Sequence, residues 1–137
     1  MNVNKMVIRF KDKTLLKGES HDFHPNNRTF HLRLLEGDEI EIDLEHLKAV
    51  FWVKSFEGNR DYTYTYEDSI PWGVNKVRIQ FADGESMIGY AQYLNCKSHH
   101  IYHSDYGFFV TPADFRGNNE RVFILKSATE EVKYLDA

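Results

Sequence analysis

One cysteine and a group of histidines lie close together in the second half of the chain, and these residue types could bind a metal ion. Cys96, His99 and His103 fall within eight residues, and His99 and His103 would share one face of a strand. Zinc prefers four ligands in a closed tetrahedron, whereas one strand directs only two or three side chains the same way. A second, distant pair of ligands is missing from the sequence. We therefore predict no metal or other cofactor, and keep these three residues as the candidate ligands.

The sequence lacks the short motifs of common catalytic sites. It has no glycine-rich phosphate loop before a helix, no Gly-x-Ser-x-Gly elbow and no His-Glu-x-x-His. Its turn carboxylates, among them Asp12, Asp22, Asp83 and Asp114, are of the kind that accepts hydrogen bonds from the local backbone. We therefore predict a protein without enzymatic activity.

Aromatic rings near cationic side chains are the second group with possible binding chemistry. Tyr62, Tyr64 and Tyr66 would share one face of a strand, and Arg116 follows Phe115. Bases of single-stranded nucleic acids stack on such rings for about 1–3 kcal/mol each. The other interpretation is that these rings cover the ends of a β-fold, which is the commoner role of aromatic residues on short strands. RNA binding is therefore an alternative function and not the first prediction.

Composition limits the class of protein. The chain has 137 residues, of which 42% are hydrophobic and 15% aromatic, so it suits one ordinary domain or two very small ones rich in strands. Its net charge of −4 argues against a protein that follows a phosphate backbone, and no DNA binding is expected. The single cysteine suits a reducing compartment, and no apolar run reaches membrane-spanning length. We expect a cytoplasmic protein without membrane contact.

A hairpin that occurs twice would position these residues. Residues 76–90 alternate apolar and polar positions around an Asp-Gly pair, which is a strong short-range signal of a β-hairpin. Residues 5–19 repeat this pattern at an offset of 71. The shared positions include Ile8 and Ile79, Phe10 and Phe81, Asp12 and Asp83, and Gly18 and Gly89. Later apolar positions match at an offset of 82, which predicts an insertion of 11 residues near 106–119.

These offsets predict the domain organisation. The first β-barrel repeat spans residues 1–56, a linker with an aromatic strand spans 57–75, and the second repeat spans 76–137. Five short strands in each repeat indicate a small, strongly bent antiparallel barrel. The predicted fold class is all-β, with two tandem five-stranded barrels packed together. The predicted cores contain Ile8, Phe10, Leu16, Phe30, Leu32, Ile42 and Val50 in the first repeat, and Ile79, Phe81, Met87, Phe108, Val110, Ile124 and Val132 in the second.

Two positions in the repeated hairpin have backbone consequences. Gly18 and Gly89 stand at the same place in both copies, which predicts a bend or a close backbone approach. The first copy has Lys13 where the second has Gly84, so the first turn should be the more strained or of another type.

The run at residues 47–54 is apolar on both faces, and such a strand needs packing on both sides. Val50 and Trp52 are predicted to line the first core, which leaves Phe51 facing outward. The second barrel, the tyrosine strand or another copy of the chain would cover it, and the resulting cleft is the predicted binding site. Its candidate residues are Phe51, Phe56, Tyr62, Tyr64, Tyr66, Trp72, Arg116, Asn118 and Asn119.

Parts of the sequence resemble known families. The Sm-like fold, a small SH3-like barrel of RNA-binding ring proteins, has a first motif that resembles Val77-x-Ile79-x-Phe81-x-Asp83-Gly84-x-x-Met87-x-Gly89. Its second motif contains an Arg-Gly pair, which Arg116-Gly117 resembles. The whole chain resembles an uncharacterised bacterial family of small cytoplasmic proteins, through residues 47–54, 56–59 and 112–119. That resemblance implies no known activity.

The receptors of bacterial cyclic-dinucleotide signalling resemble the chain in size and strand number. Their Arg-x-x-x-Arg pair is not matched here, because Arg28 and Arg33 are one residue too far apart. We therefore predict a non-enzymatic binding module, with a protein partner or self-association. An Sm-like RNA-binding protein is the first alternative, and a small-ligand or cyclic-dinucleotide sensor is the second.

Overall fold

Short runs of alternating apolar and polar residues form strands throughout the part of the chain that the structure, a computed structural model, describes: residues 5–53, 74–92, 106–112 and 119–135. The first half contains β1 (Lys5–Phe10), β2 (Leu15–Glu19), β3 (Thr29–Leu34), β4 (Glu39–Asp43) and β5 (Leu47–Val53). The second half contains β6 (Val74–Phe81), β7 (Ser86–Gln92), β8 (Gly107–Pro112), β9 (Asn119–Leu125) and β10 (Thr129–Tyr134). Short 3₁₀ turns, Leu44–His46 and Lys126–Ala128, precede β5 and β10. The all-β prediction is confirmed.

The two halves have the same strand order. The first half runs β5-β1-β2-β3-β4 and the second runs β10-β6-β7-β8-β9, with antiparallel neighbours throughout. Within the described residues, pairing of β5 with β9 joins the halves into one ten-stranded sheet with β4 and β10 as its outer edges. Among the described residues no strand pairing closes this sheet, so the division into two closed barrels stays a prediction.

Hydrogen bonds outside the strand ladders also recur in the two halves. The N–H of Lys11 donates to the carbonyl of His46 at 3.0 Å, and the N–H of Ala82 donates to that of Ala128 at 2.9 Å. Both bonds tie the first hairpin turn of a half to the 3₁₀ turn before its last strand. The same local sequence plan therefore produces the same turn contacts twice.

Two hydrophobic cores lie on the sheet, and the predicted core residues are confirmed. Ile8, Phe30, Leu32, Ile42 and Val50 are buried in the first core, and Phe10 and Leu16 pack against it. Ile79, Phe81, Phe108, Val110 and Ile124 are buried in the second core, and Met87 and Val132 pack against it.

The central strands β5 and β9 contribute to both cores. In β5, Val50 and Trp52 enter the first core, whereas Ala49 enters the second. In β9, Phe123 enters the first core and Val122 enters the second. Both strands are therefore apolar on both faces because each face packs on a different core.

Gly18 and Gly89 are confirmed as positions of close backbone approach. A Cβ atom at Gly18 would lie 2.3 Å from the carbonyl oxygen of Arg33. At Gly89 it would lie 2.8 Å from the carbonyl oxygen of Thr111. Strands β2 and β7 are thus held against their neighbours β3 and β8 at a distance that only glycine allows.

The segment 106–119, which the offsets assigned to an insertion, contains strand β8 (Gly107–Pro112). Gly18 pairs with Leu34 and Gly89 pairs with Pro112, so Leu34 and Pro112 hold the same place in the two halves. The additional residues of the second half are therefore divided between the connections before and after β8. Most of the predicted linker at 57–75 lies outside the described residues.

Candidate functional site

Most of the predicted site residues lie outside the part of the chain that the structure describes. They are Phe56, Tyr62, Tyr64, Tyr66, Trp72, Arg116 and Asn118, together with the candidate metal ligands Cys96, His99 and His103. For Asn119 only the backbone, at the start of β9, is described. Within the described ranges no three His, Cys, Asp or Glu side chains are grouped to hold a metal ion. Phe51 is the one predicted site residue whose side chain can be placed.

Phe51 lies where the two halves meet. It is half-buried, packs against the second core and stands opposite Val122 of β9. The guanidinium carbon of Arg9 lies 5.5 Å from the centre of its ring. Of the three covers considered for Phe51, the second half of the chain is the one observed.

We call the pairing of β5 with β9 the joint between the halves. A buried lysine next to this joint connects the halves electrostatically. The side chain of Lys48, on β5, is only 8% exposed. Its Nζ donates to Oδ2 of Asp83 at 2.7 Å and to Oε1 of Glu85 at 2.6 Å, and it lies 4.7 Å from the ring centre of Phe81. A charged amine is rarely buried without such partners. Lys48 of the first half is therefore neutralised by the hairpin turn of the second.

The two hairpin turns beside Lys48 have the same backbone geometry. Lys13 has φ of +74° and Gly84 has φ of +95°, so both adopt the left-handed conformation. The turn with a lysine in that conformation is the more strained one, as the sequence predicted. In each turn an aspartate caps the backbone: the N–H of Thr14 donates to Asp12 at 2.9 Å, and that of Glu85 donates to Asp83 at 3.0 Å.

These contacts also set the ionisation of the aspartates. The hydrogen bond from the Lys48 ammonium, together with that from the backbone N–H of Glu85, holds the pKa of Asp83 below its ordinary value. Hydrogen bonds from the hydroxyl and the N–H of Thr14 similarly lower the pKa of Asp12. Both turns therefore carry ionised carboxylates at neutral pH.

The turns border a row of neighbouring cavities between the halves. Three adjoining cavities have volumes of about 240, 120 and 420 Å³. The first two share Lys48 and Asp83 in their walls, and the last two share Lys11 and Ser127. We name this space the junction cleft. Its cationic residues are Arg9, Lys11, Lys13, Lys48 and Lys126, and its acidic residues are Glu45, Asp83 and Glu85.

The charges of the junction cleft are not balanced. Lys48 is paired as described above, and Arg9 lies 3.9 Å from Glu85. Lys11 and Lys126 form no ion pair with any carboxylate in the described ranges, and Glu45 is paired with Arg28 outside the cleft. Within the described ranges the cleft therefore presents two ammonium groups without a carboxylate partner, in a chain whose net charge is negative.

The model of a family of unknown function (DUF6982) matches residues 2–136. The chain belongs to this family. No curated protein and no solved structure matches it. The predicted membership of an uncharacterised family is thereby confirmed, and the family match includes both halves and the junction cleft between them.

An aromatic cluster lies near the joint of this DUF6982 chain, but its rings serve packing. Phe23 contacts Trp52 and Phe123 edge to face, at 5.0 and 5.4 Å between ring centres. The guanidinium carbon of Arg121 lies 4.2 Å from the ring centre of Trp52 and 4.9 Å from that of Phe109. Because Trp52 is only 5% exposed, its ring has little surface on which a nucleic-acid base could stack.

Ser20, Asp22 and His31 are in contact, but their order does not suit nucleophilic catalysis. The hydroxyl of Ser20 donates to Oδ1 of Asp22 at 3.1 Å, and Oδ2 of Asp22 lies 2.7 Å from Nδ1 of His31. The histidine therefore cannot accept the serine proton, because the aspartate stands between them. The N–H of His31 also donates to Asp22, so this cluster fastens the loop before β3.

The sequence contained a signal for Lys48 that the site prediction did not use. It is the one charged residue within β5, a strand that is otherwise apolar on both faces. A charge in such a strand implies a buried partner. The partners lie 35 and 37 residues away, so no local pattern identifies them.

In the described part of this family member, no helix is long and apolar enough to cross a membrane.

Proposed function

We propose that this protein is a non-enzymatic binding module whose junction cleft takes an acidic segment of a partner protein. The observation that carries the proposal is the excess of cationic side chains around one cleft of a chain with a net charge of −4. Lys11 and Lys126 lack carboxylate partners among the described residues. Carboxylates of a partner would supply them.

The chemistry of the cleft favours a peptide over a nucleic acid. Asp83 and Glu85 are already occupied by Lys48, and a nucleic-acid backbone offers no aliphatic groups for the apolar part of the wall. Leu15, which is 42% exposed, and the half-buried Phe10 add apolar surface at one end. A segment with carboxylates beside aliphatic side chains fits both features.

We further propose that the halves are tandem copies of one Sm-like or SH3-like unit. The repeated strand order, the paired glycines and the repeated turn contacts support this. The cleft then belongs to neither unit alone, because its walls come from both. The single Cys96 suits a reducing compartment, so we place this function in the cytoplasm.

The proposal is tested by mapping the contact surface of defined probes on the ¹⁵N-labelled chain by NMR. The probes are a Glu-Leu alternating hexapeptide, the matching Lys-Leu hexapeptide and hexauridylate. We expect the acidic peptide to shift the amide signals of residues 11–14, 82–85 and 126–128 but not those of the β3–β4 turn at 35–38. Absence of these shifts would contradict the proposal. Larger cleft shifts with hexauridylate would replace it by RNA binding.

A further inference from the structure

The joint between the two halves is apolar on both faces. In its register Ala49 stands opposite Ile124, Val50 opposite Phe123, and Phe51 opposite Val122. All of these side chains except Phe51 are fully buried. The joint therefore combines strand pairing with buried apolar side chains on both faces, as a stable interface does.

The outer edges of the sheet are formed by the same two strand positions. Because the strand order repeats, β4 corresponds to β9, and β10 corresponds to β5. At the offset of 82, Glu41 stands where β9 has Phe123, and Glu131 stands where β5 has Ala49. At two positions where the joint has a buried apolar residue, the corresponding edge strand therefore has an exposed carboxylate.

A second copy of the chain could in principle repeat the joint by pairing its β4 with β10 of the first. Glu41 would then take the buried place of Phe123, and Glu131 that of Ala49. Neither carboxylate would have a partner there, and burial of an unpaired charge is strongly unfavourable.

We propose that charged residues on β4 and β10 close both edges of the sheet to a second copy of the chain. These charges thereby prevent β4 of one molecule from pairing with β10 of another in the way that β9 pairs with β5 within the chain. Charged side chains on edge strands are a known means of preventing edge-to-edge association. This inference does not depend on the proposed function of the junction cleft.

The test removes the carboxylate from one edge strand at a time. One variant carries Glu41→Phe and a second carries Glu131→Ala, each copying the residue of the internal joint. Light scattering should show the wild type and each single variant as monomers of 16.2 kDa, and an equimolar mixture of the two variants as a dimer. The matched control mixture contains Glu36→Phe instead of Glu41→Phe, which places the new ring in the turn before β4, and should stay monomeric.

A further substitution checks that β4 forms the contact. The N–H of Leu34 donates to the carbonyl of Asp38, so the N–H of the next residue, Glu39, points away from β3. Glu39→Pro therefore blocks the outer edge without removing a bond to β3. Added to Glu41→Phe, it should abolish the mixed dimer. A mixture of folded variants that stays monomeric contradicts the proposal, as does a wild-type oligomer that Glu39→Pro dissociates.

Discussion

At the residue scale, the two hairpin turns allow a direct comparison of a lysine and a glycine in one conformation. Lys13 occupies a left-handed backbone position that Gly84 occupies in the second half. That conformation disfavours residues with a side chain, so Lys13→Gly should raise the free energy of unfolding by up to about 1 kcal/mol. The reverse change, Gly84→Lys, should lower it by about 1–2 kcal/mol. Urea unfolding of both variants measures this. If Lys13→Gly instead lowers the free energy of unfolding, the left-handed conformation of Lys13 does not strain the first turn.

The contact of His31 with Asp22 predicts a pH dependence. The hydrogen bond that Nδ1 of His31 donates to Asp22 raises the pKa of His31, so the folded state holds its proton more firmly than the unfolded state. Burial acts to raise the pKa of Asp22, but the hydrogen bonds from His31 and Ser20 outweigh it, and the net direction is downward. The stabilisation is therefore complete below the ordinary histidine pKa of about 6.5 and is lost as pH rises through the raised value. It is also lost at acidic pH, when Asp22 becomes protonated.

The measurement is the melting temperature between about pH 5.5 and about pH 8, on either side of the ordinary histidine pKa. The wild type should lose more stability over this interval than His31→Gln, since the other six histidines are common to both. Parallel curves for the two proteins would show that the contact contributes nothing in solution. NMR titration of His31 gives an independent reading of the raised pKa.

At the element scale, the close approach of β2 to β3 predicts an order of glycine substitutions. A Cβ atom at Gly18 would clash with a backbone carbonyl oxygen at 2.3 Å, whereas the matching distance at Gly89 is 2.8 Å. Gly18→Ala should therefore lower the free energy of unfolding by at least about 2 kcal/mol, and Gly89→Ala by less. Gly37 has no atom within 4 Å of such a Cβ but a positive φ of +104°, so Gly37→Ala should cost only about 1 kcal/mol. Chemical denaturation of the three variants tests this order, and equal costs at Gly18 and Gly37 would contradict it.

The hairpins, the paired glycines and the core residues could be predicted from the sequence because local alternation and the internal repeat determine them. The joint between the halves could not. The two apolar faces of β5 show that both sides of the strand are covered, but they do not show that β9 provides the cover. Lys48 illustrates the same limit, since its charge implies a partner while the identity of Asp83 depends on how the halves meet. Most of the predicted site residues lie in segments outside the described ranges, and none of the described ones lines the junction cleft. The residues of this cleft were therefore identified only in the structure.

At the scale of the whole molecule, the halves should unfold as one unit. Phe123 and Leu125 of the second half are buried in the first core, and Ala49 of the first half is buried in the second, so neither core is complete alone. Phe51→Asp places a charge in the joint and should lower the free energy of unfolding by at least about 2 kcal/mol or split unfolding into two transitions. Leu35→Asp, at a position that is 60% exposed, is the control and should change little. Calorimetry measures both, and a Phe51→Asp variant as stable as this control would show that the joint does not hold the halves together.

The central claim is that the junction cleft binds an acidic protein segment through Lys11 and Lys126, which have no carboxylate partner among the described residues. The most direct measurement is the dissociation constant of a fluorescently labelled Glu-Leu hexapeptide, determined by anisotropy. Lys11→Glu combined with Lys126→Glu should weaken binding at least about tenfold, which corresponds to about 1.4 kcal/mol. The matched control, Arg33→Glu combined with Lys133→Glu, has the same net charge, lies outside the cleft and should bind within about twofold of the wild type. Equal affinities of the cleft variant and the control would contradict the claim.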